Sequence, residues 1–255
     1  LTAILRTGTP AYTAVTILAD KEEIGSDGNT GMKSSFLPYF IDDLAAMFGE
    51  KGHHVLSRSV CLSADVNAAF DPIYPEVMES RNCAYLNKGV AITKYTGAGG
   101  KSGTSDASAE LMGMVRRLMD EQQVLWQVGE LGKVDAGGGG TVAKYIANLD
   151  VETVDMGVPV LSMHAPFEVI SKLDVFMAHR AFYTLMNRKW RCFGRQRRFF
   201  YQGGIGNEQA VDRGGLSKRL CGRIAGLPRS GGDAAHAAAK NRRLSRGGRH
   251  GGVHL

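Results

Sequence analysis

Two hydrophobic periods take turns along residues 1–187, and that alternation restricts the fold more than any single residue does. Apolar, β-branched runs predict strands: "AYTAVTILA" (11–19) as a buried strand, "HVLSRSVCLSADV" (54–66) as a second, and "CAYLNKGVAITKY" (83–95) as strand or extended chain. "VLWQVGE" (124–130) predicts a short strand and "ETVDMGVPVLSMHAP" (152–166) one or two more. Between them the apolar residues fall at helical spacing. "SSFLPYFIDDLAAMFGE" (34–50) carries Pro38 in its first turn. "SDASAELMGMVRRLMDEQ" (105–122) opens on a capping signal and places Leu111, Met114, Val115 and Leu118 on one face. "GGGGTVAKYIANL" (137–149) is a glycine loop entering a helix, and "FEVISKLDVFMAHRAFYTLMN" (167–187) is a last amphipathic helix. Strand and helix in alternation predict an α/β sandwich with a mainly parallel sheet, in which functional groups gather where the strands end.

The charge divides the chain at the same place. Residues 1–187 hold 15 Lys+Arg against 22 Asp+Glu, a net of −7, while 188–255 hold 16 against 3, a net of +13. The overall +6 therefore belongs to a tail rich in Arg and Gly, with no sustained period of either kind. Such a tail suits an arginine-rich arm for nucleic acid, with Phe199, Phe200 and Tyr201 as stacking groups, or a basic end that is disordered or read out of frame. The composition favours the second, so nucleic acid is not expected as a partner. No apolar run reaches the roughly 18 residues that a membrane span needs. The start "LTAILRTGTP" has neither an initiator Met nor the layout of a signal peptide. Cys61, Cys83, Cys192 and Cys221 are scattered without a CxxC pair, which points away from a disulfide framework or a zinc knuckle and toward the cytoplasm.

Three strand ends carry residues of metal-ligand type. "DKEE" sets Glu22 and Glu23 side by side after the first apolar run; "SAD" ends the second on Asp65; "SMHAP" places His164 after "VPVL". Adjacent residues on a strand point to opposite faces, so two neighbouring carboxylates serve one cavity only if the chain turns there. Two like charges so close call for a positive partner, and a divalent metal is the usual one. Carboxylate oxygen and imidazole nitrogen suit zinc, or a harder ion such as manganese or cobalt. Taken singly, each of these residues fits an ordinary turn, cap or hydrogen-bonding role equally well.

Longer stretches carry a resemblance. "DKEEIGSDGNTGMKSS", "SADVNAAFDPIYPE", "GELGKVDAGGGGT" and "DMGVPVLSMHAPFEVISKLDVFMAHRAF" together resemble the aspartyl aminopeptidase / aminopeptidase I family of dinuclear zinc metallopeptidases, in order from about Tyr12 to Asn187. The resemblance implies a three-layer α/β/α peptidase domain and assembly into tetrahedral dodecamers acting on peptides. It implies that Glu22 is the general base, that Glu23 and His164 share one zinc, and that Asp65 binds the other. It also implies a substrate-binding role for Lys94 in "AITKYTG" and a pocket-lining role for the glycines of "VDAGGGGT", Gly139 and Gly140 among them.

The same resemblance marks departures. A family site includes a further His and a bridging Asp ahead of the Glu-Glu pair, and the nineteen residues before Asp20 contain neither. The family's inserted dimerisation domain is missing too. The expectation is therefore the C-terminal part of a peptidase domain over 1–187, inactive alone, with a foreign tail over 188–255. The glycine run could otherwise cradle a phosphate or form a tight turn, but it lacks the GK(S/T) of a P-loop.

Overall fold

The computed structural model describes residues 1–188 apart from Thr96, Ala98, Gly100, Lys101 and Val134. The basic tail assigned to 188–255 lies, beyond its first residue, outside the described residues. Six strands form one mixed sheet: β1 (Val60–Ser63), β2 (Val66–Ala68), β3 (Val90–Thr93), β4 (Trp126–Val128), β5 (Glu152–Leu161) and β6 (Val169–Ile170). The long β5 organises it. β1 and β2 run parallel to β5 along one edge; β3 and β6 run antiparallel to it along the other, and β4 extends the sheet parallel to β3. Seven of the ten residues of β5 are buried, without the alternation of a half-exposed strand, as expected of a strand covered on both faces.

Six helices clothe the sheet: α1 (Thr2–Arg6), α2 (Phe36–Ala46), α3 (Gly52–Leu56), α4 (Ala109–Glu121), α5 (Ala143–Ala147) and α6 (Lys172–Asn187). Neighbouring residues of β1 show that they form two layers. Leu62 packs into a core of Val90, Ile92, Val154 and Met156 beneath α4 and α6, whereas Cys61 faces the cluster of Leu37, Leu56 and Ile146 from α2, α3 and α5 with Val151 just ahead of β5. The result is the expected α/β fold, helix–sheet–helix. The face predicted for α4 is buried throughout, and Ser108 caps it by accepting a hydrogen bond from the Leu111 N–H at 3.1 Å. Among the described residues no helix is long and apolar enough to cross a membrane.

Asp174, in the first turn of α6, ties that helix to the sheet. It is fully buried, and its two carboxylate oxygens accept hydrogen bonds from the N–H groups of Asn87 (2.8 Å) and Gly89 (2.7 Å), in the turn that enters β3. Gly89 is obligatory there: it holds φ at +87°, and a Cβ would collide with the backbone of Leu125.

Three sequence expectations are corrected. Residues 11–19 form no strand: among the described residues they join no β-ladder, and Val15, Ile17 and Leu18 are exposed. A strand pattern yields a strand only where a neighbour accepts its backbone hydrogen bonds. The single strand expected over 54–66 is instead the end of α3, then β1, with β2 starting only at Val66; Gly52 opens α3 by donating its N–H to Asp42 Oδ1 at 2.9 Å. The helix expected from 167 starts at Lys172, because Val169 and Ile170 pair with β5 first and Ser171 then caps the helix through the Leu173 N–H.

Candidate metal centre

The Glu-Glu pair sits on a tight turn. Lys21 takes a left-handed φ of 59°, Glu22–Ile24 form one 3₁₀ turn, and Gly25 closes it with φ 88°, its N–H bonded to the Glu22 carbonyl. That reversal frees both carboxylates from the two-sided geometry of a strand. Around it, Thr30 Oγ1 donates to Asp20 Oδ2 at 2.7 Å, the Ser26 N–H bonds the Lys21 carbonyl, and Tyr145 of α5 donates its hydroxyl to the Gly25 carbonyl at 3.1 Å. The Thr30 hydrogen bond holds the Asp20 carboxyl below its ordinary range.

His164 lies beyond the end of β5 on a second unusual turn, with φ 58° at Ser162 and 67° at His164. Left-handed backbone at non-glycine residues is costly and clusters at functional sites. The His164 N–H donates to Glu168 Oε1 at 2.7 Å, which holds the turn. Its ring reaches the glutamate loop, with Nε2 3.5 Å from Glu23 Oε1.

Asp65 occupies the break between β1 and β2, where its Oδ1 accepts a hydrogen bond from the Val66 N–H at 2.7 Å. Burial raises its proton affinity, and that backbone hydrogen bond opposes the rise; the Glu23 charge adds to it and His164 subtracts. Glu22 is likewise shifted upward, first by burial, then by the charges of Asp65 and Glu23, with His164 acting against them. Glu22, Glu23, Asp65 and His164, predicted from three separate points of the sequence, therefore share one electrostatic neighbourhood.

The other predicted residues stand apart from this group. Lys94, just past β3, is ion-paired with Asp106. In the glycine run the Gly139 carbonyl accepts the Gly97 N–H at 2.7 Å, so this stretch is bonded to the loop after β3. Only Gly138 of residues 137–140 has a left-handed φ, 106°.

Sequence patterns missed the small crevice that Asp65 shares with the polar Asn67, Thr93, Thr141 and Asp155 and the apolar Leu131 and Met156. Thr141 donates to Asp155 Oδ1 at 2.9 Å, and Asn67 donates through Nδ2 to Thr93 Oγ1 at 2.7 Å, which passes a hydrogen bond to the Gly129 carbonyl. Burial lifts Asp155 to about 6, with hydroxyl hydrogen bonds opposing and the Asp65 charge adding. An acidic residue inside an otherwise apolar strand run was the one available signal.

Residues 3–185 match the family model described as aminopeptidase I zinc metalloprotease (M18). The chain belongs to that family. A curated relative, the probable M18 family aminopeptidase 1 of Clostridium acetobutylicum, is 46% identical over 189 residues, covering 72% of this chain and 41% of its own. The crystal structure of aminopeptidase I from that organism superposes with a TM-score of 0.69 at 45% identity, over 73% of this chain and 41% of the other. An M18 family structure from Thermotoga maritima gives 0.64 at 46%, over 66% and 39%. The chain thus spans about two fifths of the length of these relatives.

Zinc's preference for nitrogen and oxygen donors fits what this segment offers, in part. An imidazole nitrogen and a carboxylate oxygen face each other at the spacing of a shared ion, with two further carboxylates acting on the pair. The cluster is open: among the described residues no three His, Cys, Asp or Glu side chains are close enough to enclose an ion. Zinc's tetrahedral shell needs more donors than Glu23 and His164 supply.

Proposed function

We propose that this chain carries the C-terminal part of a metal-dependent aminopeptidase site, with peptides as substrates and two zinc ions in the complete centre. The observation that carries this is the meeting of Glu23 and His164 at 3.5 Å beside Glu22 and Asp65, inside the M18-matched segment. Glu23 and His164 would hold one ion and Asp65 the other; manganese or cobalt would suit the same oxygen and nitrogen donors. Zinc supplies Lewis acidity when bound, acidifying water at neutral pH.

Glu22 does the proton work. Its carboxylate is half-buried and its proton affinity raised, which suits a base that takes a proton from water and returns it to the leaving amine nitrogen. Lys94 and the Gly139–Gly140 backbone would serve as substrate contacts, Lys94 offering its cation to a substrate carboxylate on release from Asp106. We infer a homo-oligomer, supported by the exposed Phe36, Tyr39, Phe40, Met47 and Phe48 on and beyond α2. Cytoplasmic location accords with free Cys61 and Cys83.

Turnover of an aminoacyl anilide tests this, measured with and without chelator on this chain and on a protein of the relatives' full length containing it. The expected result is chelator-sensitive release by the longer protein and none by the chain, because three donors do not complete two shells. Robust turnover by the chain alone would overturn the incompleteness, and none by the longer protein would overturn the peptidase assignment.

A further inference from the structure

The break between β1 and β2 has an unusual cause. β1 ends with Ser63 opposite Asp155 and β2 resumes with Val66 opposite Val158, so both keep the same register on β5. Ala64 and Asp65 stand opposite Met156 and Gly157 without joining the ladder. At that point the backbones come too close for any side chain. A Cβ on Gly157 would overlap the Asp65 carbonyl oxygen and lie 2.6 Å from its carbonyl carbon and 3.3 Å from Val66 Cα. Gly157 is not among the left-handed glycines, so space rather than torsion demands it.

Asp65 is held from the other side by its own carboxylate, whose Oδ1 takes the Val66 N–H. The carbonyl pressed against Gly157 and the oxygen tied to Val66 leave the carboxylate little freedom to shift. We propose that Gly157 is a positioning residue, fixing the Asp65 carboxylate relative to Glu23 and His164. The inference rests on Asp65 being a metal donor. It explains a glycine in the middle of the longest strand, where glycine otherwise weakens a sheet.

Zinc is titrated into a protein of the relatives' full length carrying this segment and into its Gly157→Ala, Asp65→Ala and doubly substituted variants, in competition with a chromogenic chelator, with thermal melting alongside. Gly157→Ala is expected to weaken zinc affinity roughly 10–100-fold, as outer-shell changes do. The double variant should bind no more weakly than Asp65→Ala, because both act through one carboxylate. Unchanged affinity in a folded Gly157→Ala, or additive losses in the double variant, overturns the inference alone. Unchanged affinity in Asp65→Ala overturns the donor assignment and the inference with it. Should Gly157→Ala not fold, Asp65→Glu leaves the sheet untouched: a fixed backbone makes the longer side chain overshoot, and affinity falls to the Asp65→Ala level. Affinity within about threefold of the parent would show that the backbone adapts freely, and the inference fails.

Discussion

Strand β5 and the segment 8–34 bring their donors to one place by opposite means. β5 is paired along both edges, with Val154, Met156 and Val160 buried on it, and His164 stands just past its end. Segment 8–34 has no place in the sheet. Its apolar Val15, Ile17 and Leu18 are exposed, and the Glu22–Glu23 turn is held by local hydrogen bonds and one hydroxyl from α5. Stability and site geometry are therefore separable: one half of the centre is built into the core, the other is laid against it.

The largest expected effect lies on the core side. Asp174→Ala strands the buried Gly89 N–H and the half-buried Asn87 N–H that now bond a carboxylate, and should cost about 3 kcal/mol in urea unfolding. A loss below about 1 kcal/mol would mean that α6 is not tied to the sheet as described. Met156→Ala, which empties the centre of β5, should cost about 3 kcal/mol on the same measure.

Asp155 gives a pH-dependent effect on the same strand. Its folded-state value of about 6 stands above the ordinary aspartate value of 3.8, so the folded chain binds the proton more tightly. That contribution is fully present below about pH 4 and is lost as pH rises through about 6, to a limit of about 3 kcal/mol. Relative to Asp155→Asn, the parent chain should therefore lose stability between pH 4 and 7 in metal-free buffer. The upward shifts at Asp65 and Glu22 have the same sign but remain in both proteins. A difference that is flat with pH would remove Asp155 from the account.

The smallest effect sharpens the contrast. Leu18→Ser, at an exposed position of the N-terminal segment, should change stability by no more than about 0.5 kcal/mol. A cost equal to that of Met156→Ala would show the two regions to be one cooperative core.

The same contrast explains what the sequence could reveal. Helix α4 was legible because its cap, Ser108, and its buried face, Leu111 to Leu118, are local patterns. β5 was legible because few folds bury so long an apolar run otherwise. Residues 11–19 carry the same strand pattern without a strand, since pairing depends on a neighbour that no local pattern names. The four candidate site residues were visible as polar groups at strand ends; their convergence, Glu23 against His164, depends on left-handed turns at Lys21, Ser162 and His164 that composition does not announce. Asn67, Thr141 and Asp155 stayed hidden because a buried polar group shows its partners only once three strands and a loop are assembled. Nothing in the sequence marks Gly157 off from other glycines; its reason is the Asp65 backbone packed against it.

The roles of the paired glutamates carry the central claim, and zinc content measured beside turnover tests them most directly. In a protein of the relatives' full length carrying this segment, Glu22→Gln keeps the shape but cannot accept a proton. It should retain zinc while kcat falls roughly 10²–10⁴-fold. Glu23→Gln removes an anionic donor facing His164 and should lose zinc together with activity. Zinc lost from Glu22→Gln and kept in Glu23→Gln would reverse the assignment, and full zinc and full activity in both would contradict the metallopeptidase account itself.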